Sequence, residues 1–163
     1  MTQLDPYLST TYGELELAFS TLPDREELLS IKESNVIYYQ RWVERWLQYI
    51  ESGEAIPTTY PYYPVQTWQL GNQTWVALGG EVVVDYSIYL KRLLGQDLFV
   101  TAYANDVMAY IPSLRVLREG GYEGDTSMRV YGLPAPWSPE VEHEIIKEVQ
   151  RQVGVIQSNP VDE

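Results

Sequence analysis

Two segments of the sequence carry the side chains that are best suited to chemistry. In the first, Glu81 follows two glycines and precedes three valines. Glycines let the backbone approach another group closely, so this carboxylate is either an ordinary acid at a helix N-terminus or a ligand or acid–base group. The second segment, 101–132, combines tyrosines with glycines, a proline and the turn-forming pair Asn105-Asp106. Such a segment is either a packed surface loop or a functional site.

The composition excludes several other kinds of chemistry. The chain has 163 residues, which fits one domain or a piece of a larger one, and a net charge of −12, which argues against a nucleic-acid surface. Without cysteine, and with His143 as the one histidine, it shows neither a thiolate metal site nor a nucleophile–base pair. No apolar run approaches the length of about 18 residues that a membrane span needs, and the N-terminus lacks a signal peptide, so the compartment stays unknown.

The first half of the sequence predicts a strand, a long helix and a hairpin. Alternating polar and apolar side chains indicate the strands, and an aromatic stripe at helical spacing indicates the helix. A proline- and tyrosine-rich linker should separate the helix from the hairpin, whose turn is Gly71-Asn72. The predicted segments are a strand over 14–19, a helix over 24–51, a linker over 56–64, and hairpin strands over 65–70 and 74–78.

The second half supplies the elements that must position Glu81. A strand over 74–78, a helix over 82–94 and a strand over 98–103 form a crossover, which implies two parallel strands with a right-handed connection. Ligands bind beyond the carboxyl ends of such strands. Glu81 and the turn at Asn105 both lie at these ends, so we expect them to converge.

The predicted fold class is therefore α/β, with a mixed sheet that contains a parallel strand–helix–strand crossover, a hairpin and flanking helices. A last helix is expected over 139–153, with Ser138 as its cap. We expect a loose N-terminal segment over 1–13, a single domain over 14–156 and a frayed tail over 157–163.

Three motifs, in this order along the chain, resemble the distal part of the catalytic domain of neutral/alkaline non-lysosomal ceramidases. They are GGEVVVDYSIYLKRLLG, AYANDVMAYIPS and GGYEGDTSMRVYG. The sequence is most similar to ceramidase-like proteins of environmental bacteria, over roughly residues 12–153. The resemblance implies that the chain is part of a larger ceramidase-like catalytic domain.

The resemblance also implies a zinc site. The family hydrolyses the amide of N-acylsphingosines with a zinc ion, which is held by two histidines, a glutamate and a tyrosine. The glutamate matches Glu81, and the tyrosine, five residues after the motif's asparagine, matches Tyr110. A second active-site tyrosine, twelve residues further on, matches Tyr122. The implied roles are metal ligands for Glu81 and Tyr110, and a hydrogen-bond donor to a developing oxyanion for Tyr122.

The implied site is incomplete in this sequence. The family's metal-binding histidines, together with a further histidine, an arginine and a serine of its active site, lie upstream of the region that is matched. We expect His143 to be a solvated helix residue, and two protein oxygens alone would hold zinc weakly. The chain is then a fragment, a split subunit or a truncated relative, inactive alone toward an N-acyl amide lipid.

Such a chain should expose surface that a complementary upstream chain or a second copy covers. The alternative function is a non-catalytic binding or interaction protein that keeps the scaffold. Neither nucleic acid nor a transmembrane segment is expected.

Overall fold

The computed structural model describes residue 4, residues 6–34 and residues 36–158. Along the sequence, helices both precede and follow a central β-hairpin. The strands are β1 (Leu8–Ala18), β2 (Thr59–Leu70), β3 (Gln73–Leu78), β4 (Glu81–Val82), β5 (Phe99–Thr101) and β6 (Tyr110–Ile111). The helices are α1 (Arg25–Lys32), α2 (Ile37–Ser52), α3 (Val84–Leu94), α4 (Leu114–Glu119), a π-helical turn (Tyr122–Thr126), α5 (Ser127–Tyr131) and α6 (Val141–Ser158).

The main sheet confirms the predicted mixed α/β class. It has four strands in the order β1-β2-β3-β5, and a separate parallel pair joins β4 to β6. The β2–β3 hairpin turns at Gly71-Asn72, as predicted, and β3 and β5 are parallel, with α3 as the connection between them. The crossover that the argument for a site depends on is therefore present.

The first two strands are longer than predicted. β1 begins at Leu8 rather than at Glu14, so that 8–13 belong to the sheet, and the predicted linker is wrong because β2 already begins at Thr59. Extended proline-rich backbone has dihedral angles that a strand accepts, and β1 provides it with a partner. Prolines lack an N–H, and the ladder adapts: its register shifts between Leu15 and Leu17, opposite Pro61.

The predicted continuous helix over 24–51 is also wrong, because α1 ends at Lys32 and α2 begins at Ile37. At the break, the Ser34 hydroxyl accepts a hydrogen bond from the Val36 N–H at 3.3 Å. Hydroxyl side chains that bond to nearby backbone in this way compete with helix continuation. The two helices instead form a hairpin around a cluster of buried side chains, which are Leu28, Trp42, Val43, Trp46 and Leu47.

Helix α6 covers the inner face of the main sheet. Its buried Gln152 donates to the Val65 carbonyl oxygen at 2.9 Å and accepts from the Thr11 hydroxyl at 3.3 Å, so it joins the helix to two strands. The helix continues to Ser158, beyond the predicted end at 153, and residues 159–163 lie outside the described part of the chain. In the described part, no helix combines the length and the apolar character that crossing a bilayer would require.

The opposite, outer face of the sheet carries a row of exposed aromatic side chains. The row consists of Trp68, Trp75 and Phe99 on β2, β3 and β5, and Thr10 is the register partner of Trp68 on β1. Trp68 is 37% exposed, Trp75 40% and Phe99 55%. The four strands contain no lysine or arginine. We call this aromatic row and its neighbours the outer face.

Candidate functional site

Glu81 and Tyr110 are partners in the short parallel ladder between β4 and β6. Their Cα atoms are paired in register, and the Glu81 N–H donates to the Ala109 carbonyl oxygen at 2.8 Å. The prediction that Glu81 lies next to segment 101–132 is thus confirmed. Helix α3 begins at Val84, two residues later than predicted, with Val83 as its N-cap. Glu81 therefore belongs to a strand, which excludes the alternative of an ordinary helix N-terminal acid.

The turn before Glu81 depends on Gly80. This residue has φ +73°, and its N–H donates to the Asp106 carbonyl oxygen at 2.7 Å. A Cβ at this position would lie 2.6 Å from Ile111 Cγ1 and 2.8 Å from the Ala109 carbonyl oxygen. Both the dihedral angle and the close approach therefore require glycine, and they bring the segment around Asp106 against Glu81.

Three tyrosines interact with the Glu81 carboxylate. The Tyr131 hydroxyl donates to Glu81 Oε2 at 3.4 Å. Hydrogen bonding to Glu81 is the main cause that raises the pKa of Tyr110 to about 12 and the pKa of Tyr103 to about 12. Burial, followed by the charge of Glu81, raises the pKa of Tyr131. The Glu81 carboxylate thus favours the protonated form of three neighbouring phenols.

Tyr122 lies beside Tyr110 rather than on Glu81. Their ring centroids are 5.7 Å apart with an interplanar angle of 75°, an edge-to-face arrangement, and Tyr122 is 52% exposed. Tyr131 contacts the same Tyr110 ring from a centroid distance of 6.3 Å. The structure thus brings together all three residues that the sequence predicted for the site, and places the Tyr122 ring at its open edge.

Segment 101–132 is not the irregular loop that its glycines and proline suggested. It contains β6, α4, the π-helical turn and α5. The Ser113 hydroxyl caps α4 by accepting from the Val116 N–H at 3.2 Å, and it also donates to Asp85 on α3. The turn-forming residues in this segment start and end short helices. A prediction that relies on the presence of such residues alone therefore mistakes the helices for a loop.

Tyr103 and Tyr131 belong to the site but were missed in the sequence. Tyr103 has φ 58°, a left-handed conformation that is uncommon for a bulky residue, and Asn105 has φ 66°. Strained backbone of this kind is concentrated at functional sites. The position of Tyr103 at the end of a parallel strand was an available signal. Nothing in the sequence indicated that Tyr131 would return to Glu81, because its position depends on the π-helical turn.

The donor atoms of this site are all oxygens. Carboxylate and phenol oxygens suit a hard cation and fit part of a zinc coordination set. Among residues 4, 6–34 and 36–158, no group of three or more His, Cys, Asp or Glu side chains could hold a metal ion. His143 is exposed on α6 and lines a surface groove with Tyr89 and Arg118, away from Glu81. Nitrogen ligands for zinc are therefore not supplied by the described residues.

Comparison with known proteins places this fold among those of ceramidases. The structure of neutral ceramidase from Pseudomonas aeruginosa matches with a TM-score of 0.53 and 13% identity. The match covers 96% of this chain and 29% of the ceramidase chain. A second ceramidase structure, described as complexed with C2, has a TM-score of 0.44, 14% identity and coverage of 90% and 21%, which is too low to add to the argument. No family model matches the chain, and no curated protein matches it in sequence.

These findings concern the fold. The chain has a ceramidase-like α/β architecture and spans less than a third of the length of the solved ceramidase, 29%. The resemblance that the three motifs indicated is thereby confirmed at the level of the fold.

Proposed function

We propose that this chain forms part of a ceramidase-like, zinc-dependent amidohydrolase that acts on an N-acyl amide lipid. The observation that supports the proposal most is the pairing of Glu81 with Tyr110 in one backbone ladder, surrounded by further phenols. The pairing occurs in a chain whose fold is similar to that of a ceramidase. In this proposal Glu81 and Tyr110 are zinc ligands, and Tyr122 is a catalytic hydrogen-bond donor.

The residues of the chain would divide the work among them. Glu81 supplies the negative charge, and the hydroxyls of Tyr103 and Tyr131 orient its carboxylate. Zinc, when bound, supplies a Lewis acid and lowers the pKa of water toward 7. The Tyr122 ring, exposed beside Tyr110, lets its hydroxyl donate to an amide carbonyl oxygen as negative charge develops there.

We also propose that this chain alone is catalytically incomplete. Its oxygens provide two ligands, whereas zinc in a catalytic site has three or more protein ligands, mostly nitrogen. We expect the isolated chain to bind zinc weakly in a calorimetric titration, because two ligands in a solvent-exposed site give little affinity. Tight binding of one zinc per chain would contradict this part of the proposal.

The test of function uses the native assembly. The chain, tagged in its source organism and purified with whatever polypeptide accompanies it, is expected to contain zinc and to hydrolyse N-acylsphingosine. Removing zinc with a chelator should abolish hydrolysis, and adding zinc should restore it. Hydrolysis that survives complete removal of zinc would refute the zinc mechanism. A purified assembly without any amide hydrolysis would favour the alternative of a binding protein.

The outer face is the surface on which we expect a complementary polypeptide. It is apolar at its centre, contains no lysine or arginine, and reaches the site through Asn105, whose side chain donates to Gln66 at 3.3 Å. Aromatic side chains and nearby acids such as Asp106 favour a partner with apolar and basic side chains. A polypeptide bound here would extend toward the turn before Glu81, because Asp106, which follows Asn105, accepts a hydrogen bond from the Gly80 N–H.

Without that polypeptide, the isolated chain should self-associate at high concentration. Sedimentation velocity in high salt, which screens the net charge of −12, is expected to show association that the double variant Trp75→Thr/Phe99→Thr abolishes. Tyr89→Thr is the matched control, because Tyr89 is 47% exposed on α3 but lies outside the outer face. A strict monomer at every concentration, or equal loss of association in the control, would contradict an adhesive outer face.

A further inference from the structure

A groove of about 500 Å³ adjoins the candidate site on the side of helix α2. It shares Tyr131 with the site, and Tyr131 donates to Glu81. Its lining combines polar groups with a set of apolar side chains, which includes Trp46, Tyr49, Pro57, Val107, Met108 and Leu133. Concave surfaces of this size with a few polar groups are the usual shape of small-molecule sites. A ligand in the groove would lie against a residue that directly contacts the candidate metal ligand.

Arg45 is the basic residue of this groove. Its Nη1 atom lies 3.1 Å from the position that a Cβ on Gly132 would occupy, which places the guanidinium beside the residue that follows Tyr131. Its Cζ atom is 5.1 Å from the centroid of the Trp46 ring. Arg45 takes part in none of the ion pairs found among the described residues. The guanidinium is thus exposed and positioned between an apolar surface and the candidate site.

The groove also contains one acid, Asp106. Its carboxylate accepts a hydrogen bond from the Tyr60 hydroxyl, and this bond, after burial, helps to raise the pKa of Tyr60 to about 12. Asp106 therefore already has a hydrogen-bond donor within the chain, whereas Arg45 has no carboxylate partner among the ion pairs of the described residues. Arg45 is distinguished by its place, because it is the basic side chain that lines this groove beside Tyr131 and Gly132.

We infer that the groove binds an N-acyl amphiphile whose head group is anionic. The acyl chain lies along the apolar lining, and the head-group carboxylate pairs with Arg45. The inference rests on the proposed function in one respect. The amide that joins the acyl chain to the head group would face Tyr131 and Glu81. A guanidinium recognises a carboxylate by paired hydrogen bonds, which a neutral alcohol cannot match. N-acyl amino acids should accordingly bind this groove more tightly than N-acyl amino alcohols, and N-acylsphingosine is then a substrate of lower affinity.

The test compares two ligands with the same acyl chain. By isothermal titration calorimetry without zinc, the isolated chain is expected to bind N-octanoylglycine about three- to fivefold more tightly than N-octanoylethanolamine, the range for an exposed ion pair. N-butanoylglycine should bind at least about tenfold more weakly than N-octanoylglycine, because it buries four fewer methylenes. Equal affinities for the two octanoyl ligands would refute the role of Arg45, and no effect of chain length would refute the apolar subsite.

Three variants locate the binding site. Arg45→Gln should remove the preference for the carboxylate, and Val107→Asp, at a position 47% exposed, should weaken both ligands while preserving the circular dichroism spectrum. Arg41→Gln is the matched control, because Arg41 is exposed one turn earlier on α2 and does not line the groove. An equal loss of preference in Arg41→Gln would indicate a general charge effect and overturn the inference. Because no hydrolysis is measured, this outcome is independent of whether the native assembly is an amidohydrolase.

Discussion

Replacing Gly80 with alanine is expected to lower the free energy of unfolding by about 3–4 kcal/mol. The residue has φ +73°, where a side chain costs about 1–2 kcal/mol, and the new Cβ would clash with Ile111 and the Ala109 carbonyl oxygen. Neither contact can be relieved at low energetic cost, since the Ala109 atom belongs to the backbone and the Ile111 side chain is fully buried. Urea denaturation followed by circular dichroism measures the loss.

Gly53→Ala is the matched control for this prediction. Gly53 has φ +76°, almost the same as Gly80, but nothing lies within 4 Å of the Cβ that it would gain. The control should therefore show the dihedral cost alone, about 1 kcal/mol. If both variants lost the same stability, the clash of the new Cβ with Ile111 and Ala109 would contribute nothing to the loss.

Replacing Glu81 with glutamine in the native assembly is expected to lower both the affinity for zinc and N-acylsphingosine hydrolysis by more than about 100-fold, and so to lower zinc content. Loss of a residue that only supports a metal ligand costs 10- to 100-fold, so loss of the ligand itself should cost more. Glutamine keeps the size of the side chain, so β4 and its partner strand should persist. Metal analysis by mass spectrometry and a fluorescent amide assay give the two readouts.

Two further variants separate metal binding from catalysis. Tyr122→Phe should leave zinc content unchanged and lower hydrolysis by about 100- to 1000-fold, the cost of one oxyanion donor. Glu123→Gln, which removes an acid next to Tyr122 that does not contact Glu81, should change neither by more than about threefold. A loss of zinc in Tyr122→Phe would mean that Tyr122 is a ligand or a structural residue instead of a donor.

The parts of the fold that the sequence predicted well are those with a local signal. The β2–β3 hairpin has a strong turn pair and alternating strands, and the crossover has a helix between two apolar strands. The predictions failed where tertiary contacts decide. The helix hairpin of α1 and α2 buries a shared cluster that includes Leu28 and Trp42, and β1 extends to Leu8 because β2 continues far enough to pair with it.

The candidate site was predictable to a similar degree. Parallel-strand topology alone brought Glu81 to segment 101–132, and the family resemblance singled out Tyr110 and Tyr122. The roles of these three residues stay predictions. Tyr103 had a signal in its position just after a parallel strand, although its strained dihedral angle had none, and Tyr131 could not be found by pattern because its position depends on the π-helical turn. Neither feature has a reliable local sequence signal.

The pairing of Glu81 with Tyr110 has a consequence for how related proteins can be found. Neighbouring strands lie about 4.7–4.9 Å apart whatever chain connects them, so the ladder sets the separation of these two backbones. Residues 83–109 form the connection, and an insertion in a turn within it, such as the turn between α3 and β5, need not change that separation. A search that requires a fixed interval between the glutamate motif and the tyrosine motif would therefore reject any relative with such an insertion, whereas one that allows a variable gap between the two motifs would retain it.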